Sequence, residues 1–314
     1  MSTLARSVGL QLKSVLIATD FSLASEKPLR HALAIARSYG AKFCLAHVVS
    51  SLGLTIAGPE AINVAEEAVE RDADRLGEHL AARGAFEGLE HKTIIRRGNV
   101  WPELLEIIRQ ERVDLVVIGT HGRHGIGKLL LGSVAEQIFR NADCLVLTVG
   151  PGSYQRPRVD TTRANRTFLF TTDFADTSVK ALPYAISSAN QFMAKLVLLH
   201  VLPPVPMPEG FHWYTAGDLM QMRQNAREES LRRLEELVQD VALEVRPEFA
   251  VEFGSATSVS GKILEVAEKL QVDVIIMGLH RSAHVGAASH MPWATAYEVV
   301  CGATCPVLTV RSET

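Results

Sequence analysis

The chain has 314 residues, 47% of them hydrophobic and 21% charged, with a formal net charge of −3. That length favours about two domains over one, and the composition is that of a globular protein. The near-neutral charge offers no basic field for nucleic acid or an anionic membrane, and no apolar run reaches the roughly 18 residues of a membrane helix. Cysteines at 44, 144, 301 and 305 are too few for a disulfide framework in a chain of this size. The opening residues, MSTLARSVGLQLKS, are too short and too polar for a secretory signal, so the cytoplasm is the expected compartment.

Taken in order, strand and helix patterns alternate. Val15–Thr19 reads as a strand and Ser25–Tyr39 as a helix with Leu29, Leu33 and Ala36 on one face. Lys42–Val49 is the second strand, and a helix near Ala61–Ala82 carries Ile62, Ala65, Val69, Leu76 and Leu80 in a stripe. Leu89–Ile95, Leu115–Ile118 and Leu145–Val149 read as further strands, with helices over Val100–Arg109 and Ser133–Asn141. Residues 151–166 have the proline- and arginine-rich composition of a linker.

After the linker the pattern returns. Leu16-Ile17-Ala18-Thr19-Asp20-Phe21-Ser22 reappears as Leu169-Phe170-Thr171-Thr172-Asp173-Phe174-Ala175, and Ala46-His47-Val48 as Leu199-His200-Val201. Asp20 to Asp173 and His47 to His200 are the same 153 positions apart. Asp114–Gly119 returns as Asp273–Gly278, and Leu145–Val149 as Pro306–Val310. Two copies of one domain follow, over residues 1–150 and 167–314. Repeated βα units imply parallel sheets with helices on both faces, an open α/β fold. The second copy's long helix is placed near Asp218–Val238, after a connection containing Pro203 to Pro208 and Phe211-His212-Trp213-Tyr214.

The stretch with most chemistry is Gly119–Ser133, GTHGRHGIGKLLLGS. It joins a buried strand to a helix through glycines, and Ser133 suits the helix N-cap or first turn. Bare backbone N–H groups aimed by a helix dipole suit a phosphate. Gly122-x4-Gly127-Lys128 fits most of a P-loop, but Leu129 lacks the hydroxyl that would hold magnesium. A plain glycine-rich connection is the structural alternative.

The spacing Gly119-x2-Gly122-x9-Gly132-Ser133 resembles the nucleotide-binding signature of the universal stress protein family, and the resemblance covers nearly the whole chain in two copies. It implies a Rossmann-like sheet of order 3-2-1-4-5, resembling the adenine nucleotide alpha hydrolases, with ATP and Mg²⁺ as ligands and dimer formation. The carried-over ligand set is Ala18, Thr19, Asp20, Val48, Ile118, Gly119, His121, Gly122, Gly132, Ser133 and Val134. Asp20 is expected to meet a ribose hydroxyl or magnesium, with a turn carboxylate as the alternative, and Val48 to line the adenine pocket. Ala18 and Ile118 would add apolar wall. His47 and His200 read as satisfied structural groups. Arg123, His124 and Lys128 lie in the same loop, with nothing in the spacing that demands a role for them. Cys144 and Cys305 read as small core residues. Cys301 and Cys305 beside His280, His284 and His290 match no standard zinc spacing.

The second copy keeps Gly278 and Asp173 but has Arg281 at the next motif glycine and Trp293-Ala294 in place of glycine-serine. ATP is therefore expected in the first copy only. The expected role is a stress-response or regulatory nucleotide-binding module, against a slow ATP hydrolase and a ligand-free dimerisation scaffold. The apolar fifth strands are expected to pair the two copies as a pseudo-dimer.

Overall fold

The computed structural model describes residues 10–50, 59–82, 84–120, 131–150, 166–203, 215–239, 241, 244, 246–254, 258–279 and 294–311. The chain divides into two compact units, Gln11–Thr161 and Thr162–Thr314, and Leu10 goes with the second, its N–H donating to Ser187 Oγ at 2.5 Å.

The first unit runs β1 (Ser14–Ala18), a 3-10 turn (Leu23–Ser25), α1 (Glu26–Tyr39), β2 (Lys42–Ser50), α2 (Pro59–Ala82), β3 (His91–Gly98), α3 (Val100–Gln110), β4 (Leu115–Gly119), α4 (Ser133–Asn141) and β5 (Leu145–Val149). Its strands lie parallel in the order β3-β2-β1-β4-β5. Val15, Leu16 and Ile17 of β1 and Val116 and Val117 of β4 are fully buried. Central parallel strands are covered on both faces, which is why they read as unbroken apolar runs. Helix α1 buries Leu29, Ala32, Leu33 and Ala36 at helical spacing, and ends on Gly40 with φ 62°. Helix α4 buries Ala135, Ile138 and Phe139.

Several boundaries differ from the sequence reading by one or two residues, and β3 by more. Strand β3 lies over His91–Gly98, beyond Leu89–Ile95, because β2 runs on to Ser50 and pairs there with Gly98. At the sheet edge the ladder carries Arg96 and Arg97 without an apolar pattern to mark them. Ser25 lies in the 3-10 turn and α1 starts at Glu26.

The second unit runs β6 (Thr167–Thr171), α5 (Asp176–Val179), α6 (Leu182–Gln191), β7 (Lys195–Leu202), α7 (Ala216–Val238), β8 (Glu248–Phe253), α8 (Val259–Lys269), β9 (Val274–Leu279), α9 (Ala294–Gly302) and β10 (Val307–Arg311). The order is again parallel, β8-β7-β6-β9-β10. At the 153-residue offset α5 matches the 3-10 turn before α1, and α6 matches α1 itself, with a proline in its first turn. Thr215 and Asp218 close a reciprocal capping box at the start of α7.

A carboxylate pins the amino-terminal end of each sheet. Asp114 Oδ2 accepts from the N–H groups of Lys13 (2.6 Å) and Ser14 (3.0 Å). Its own N–H donates to the Ser14 carbonyl and its carbonyl accepts from Leu145, so β1, β4 and β5 all start from this residue. Asp273 Oδ2 accepts from the Thr167 N–H at 2.8 Å in the second unit. Asp114→Ala removes two acceptors from strand-end donors, and is expected to cost about 1–2 kcal/mol in urea unfolding.

His31, on α1, is held neutral. Burial first, and then the nearby Lys27, bring its pKa down to about 4. A base with a lowered folded pKa contributes fully above its unfolded value near 6.5, and that contribution is lost as pH falls towards 4. Between pH 7 and pH 5 the expected loss of stability from this residue is about 2 kcal/mol. Urea unfolding at the two pH values should show it, and His31→Gln should flatten that part of the slope.

Candidate nucleotide site

Strand β1 pairs with β2 on one side and β4 on the other, with Val15, Leu16 and Ile17 beside Leu115, Val116 and Val117. The connection after β1 leads back beneath β2, and the connection after β4 leads to β5. This reversal of strand order leaves a crevice beyond the carboxyl ends of β1 and β4. The register brings Ala18 level with Ile118 at its floor, with Thr19 and Gly119 next. Ile118 is buried and Ala18 half-buried.

The chain leaves β1 through a tight turn built from side-chain acceptors. Thr19 N–H still bonds the Ala46 carbonyl (2.9 Å) and Thr19 Oγ1 accepts from Phe21 N–H (3.0 Å). Asp20 Oδ1 accepts from Ser22 N–H (3.0 Å) and the Ser25 hydroxyl (2.8 Å). One carboxylate oxygen thus does the local work of an Asx-turn. Phe21 takes a left-handed φ of 57°, and its ring lies 4.8 Å from that of His47. His47 Nδ1 lies 2.7 Å from the Thr19 carbonyl.

On the other side of the crevice, Thr120 is 2% exposed and its N–H donates to Val149 O at 3.2 Å. Its carbonyl accepts from Gly132 N–H at 2.8 Å, so the chain returns at residue 132 to the point it left at 120. Gly132 is the N-cap of α4, with φ −59° and ψ 152° and no side-chain cap. Its carbonyl takes the Glu136 N–H, which leaves the N–H groups of Ser133, Val134 and Ala135 as first-turn donors without an acceptor among the described residues. Ser133 is therefore the first helical residue and Gly132 the cap. A Cβ at Gly132 would meet only the Thr120 carbonyl, at an ordinary 3.6 Å. Neither backbone angle nor packing against described atoms requires glycine there.

Val48 lies near the carboxyl end of β2, 8% exposed and paired with Arg96 of β3. Ala18, Thr19, Asp20, Val48, Ile118, Gly119, Gly132, Ser133 and Val134 thus all sit on strand ends, the turn after β1 or the start of α4. His121, Gly122, Arg123, His124 and Lys128 lie outside the described residues. Thr120, Ser22 and Ser25 were missed by sequence reasoning. Ser25 had a signal, since Ser178 stands the same 153 positions further on.

The second unit builds the same turn. Thr172 Oγ1 accepts from Phe174 N–H, and Asp173 Oδ1 from Ala175 N–H (3.0 Å) and the Ser178 hydroxyl (2.6 Å). Phe174 has φ 63° and lies 4.5 Å from His200, whose Nδ1 is 2.8 Å from the Thr172 carbonyl. Burial, ahead of all other influences, lowers the pKa of His200. Gly278, unlike Gly132, is demanded by packing: a Cβ there would collide with the Thr177 carbonyl and with Ser178 Cα at 2.6 Å. Arg281 and Trp293 lie outside the described residues, and Ala294 opens α9.

Burial pushes the pKa of Cys144 up to about 12, and Cys305 at the equivalent place is buried. No group of three metal-ligating side chains occurs among the described residues, and His280, His284 and His290 lie outside them. Among the described residues no helix is long and apolar enough to cross a membrane.

Comparison with known proteins agrees with this geometry. The family model described as "Universal stress protein family" matches twice, over residues 11–150 and 164–311. A curated relative, universal stress protein MJ0531 of Methanocaldococcus jannaschii, is 30% identical over 140 residues, covering 44% of this chain and 81% of its own. The crystal structure of a universal stress protein from Archaeoglobus fulgidus superposes with a TM-score of 0.66 at 21% identity, covering 95% of this chain and 96% of that one, which shows a shared fold. A universal stress protein solved in complex with cAMP is 25% identical, with a TM-score of 0.32, and covers 45% of this chain and 98% of that one. With both halves matched and the same sheet order in each unit, the chain belongs to the universal stress protein family, as a tandem member with two such domains.

Proposed function

We propose that this protein is an ATP-binding stress-response module in which the first domain, residues 1–150, holds the nucleotide and the second, residues 167–314, does not. The observation that carries the reading is Gly132. It begins α4 without a side-chain cap, in a conformation open to any residue, with room for a Cβ. A glycine that no described neighbour demands keeps the way clear to the Ser133, Val134 and Ala135 N–H groups. Those donors stand at a helix N-terminus, where a phosphate is favoured by both hydrogen bonds and the helix dipole.

Asp20 and Val48 flank the same crevice, one for the ribose or metal and one for the adenine. Asp20 Oδ1 already accepts two bonds from the turn, so its carboxylate serves the local fold as well as the proposed ligand. Mg²⁺ fits as an ion carried by the triphosphate, since magnesium usually keeps several waters and few protein carboxylates. His121 and Gly122 belong to the proposed set through the family spacing. In the second domain the motif residues Arg281, Trp293 and Ala294 replace the small residues that would admit a phosphate.

The two domains are proposed to pair through their fifth strands. β5 and β10 each end their own sheet order, and both are apolar runs that an edge would expose. A second copy of the chain is the family's wider expectation, and the cytoplasm the expected compartment.

Calorimetric titration of the full chain with Mg·ATP should give close to one site. Gly132→Val should abolish or greatly weaken it while thermal unfolding shifts little, because a Cβ there meets no hard contact among the described residues. Asp20→Ala should weaken binding by about 1–3 kcal/mol. Asp173→Ala should leave it unchanged. A stoichiometry near two, or loss of binding in Asp173→Ala, would contradict the one-domain reading.

A further inference from the structure

We propose that His47 is a positioning residue: its imidazole takes the Thr19 carbonyl out of the sheet ladder and so leaves the Val48 N–H available to a ring-nitrogen acceptor of the bound base. This rests on the nucleotide reading above for the identity of the acceptor, but the structural device stands on its own contacts.

The argument starts from the alternation of a parallel ladder, in which successive residues of a strand direct their backbone groups to opposite neighbours. Thr19 N–H donates to Ala46 O at 2.9 Å, so Ala46 faces β1. Phe43 N–H donates to Glu90 O on the other side, so odd-numbered residues of β2 face β3. Val48 therefore faces β1, at the level where β1 has ended. In a continuing ladder the next bond would run from Val48 N–H to the Thr19 carbonyl. Among the described residues no such bond forms. The Thr19 carbonyl accepts instead from His47 Nδ1 at 2.7 Å. A carbonyl only accepts, so Nδ1 carries the proton and the tautomer is assigned by its partner.

Two features hold this exchange in place. Thr19 Oγ1 and Asp20 Oδ1 bind the N–H groups of Phe21 and Ser22, which turns the chain away from the ladder after Thr19. Phe21 at φ 57° sets its ring against the imidazole with an interplanar angle of 33°. The same set recurs in the second domain: Thr172 N–H to Leu199 O (3.0 Å), His200 Nδ1 to Thr172 O (2.8 Å), and Phe174 against His200. Val201 there occupies the place of Val48. A backbone N–H at the lip of a crevice without its ladder partner is a group that requires another acceptor. A purine with an acceptor nitrogen on its pairing edge supplies one.

The test uses the full chain and begins without ligand. Amide hydrogen exchange followed residue by residue should show Val48 exchanging about tenfold or more faster than Ala46, and Val201 faster than Leu199. In His47→Leu the Thr19 carbonyl is released, and Val48 should slow to the Ala46 rate. His47→Asn keeps a donor near the Nδ1 position and should behave like the parent. With ligand, the parent should prefer ATP to 1-deaza-ATP, which lacks the acceptor nitrogen, by about tenfold, a difference of ~1.4 kcal/mol. His47→Leu should bind the two alike, and His47→Asn should restore the preference. Equal exchange of Val48 and Ala46 in the parent, or a full preference retained in His47→Leu, would overturn the proposal. If the exchange contrast is present and no form binds ATP, the nucleotide reading fails and the positioning of Val48 stands.

Discussion

Between β1 and β4 the chain leaves the sheet in opposite directions, and the rest of the site depends on that split. A parallel sheet built from right-handed crossovers can reverse its strand order only by sending one connection each way. The gap that results has strand ends for a floor and the start of α4 for a wall. Ile17 beside Val117 fixes its width, and Asp114 fixes its register from the far end by tying down the starts of β1, β4 and β5. The residues that matter for binding are then the few that follow each strand by one to three positions.

Two motif glycines at different positions of the repeat hold their places for different physical reasons. Gly278 has the backbone of α5 pressed against it, so any side chain would displace Thr177 and Ser178. Gly132 has ordinary angles and, among the described residues, room for a Cβ. The first is explained by the fold and says nothing about a ligand. The second is left over once the fold has been accounted for, and so points beyond it. The same division runs through Asp20, whose Oδ1 is consumed by the turn in the way Asp173 Oδ1 is in the second domain. A carboxylate repeated at both sites is thus weaker evidence for a ligand than a glycine found at one.

Much of this was legible in the sequence because burial and repetition leave direct traces. Strands β4 and β5 and helix α4 lie where their apolar runs and helical spacing put them, since both faces of the central sheet are covered. The 153-residue offset marked the turn after β1 and its histidine twice. The edge strand β3 was placed three residues short at its carboxyl end, because an edge carrying Arg96 and Arg97 has no apolar pattern to follow. The short helix α5, like the 3-10 turn it matches in the first unit, was hidden because a single turn has no apolar period to read. Histidine 47 was readable as a structural group, but its partner carbonyl and the consequence for Val48 are matters of backbone direction that residue types do not encode.

The central claim is that a nucleotide binds across the β1–β4 split of the first domain and not in the second. Amide chemical-shift mapping of the full chain with Mg·ATP tests it most directly. The account predicts saturable shifts at Asp20, Val48, Ser133, Val134 and Ala135, with Thr172, Val201 and Ala296 unmoved. Shifts centred on Val201 and the start of α9, or none at Ser133 to Ala135, would contradict it.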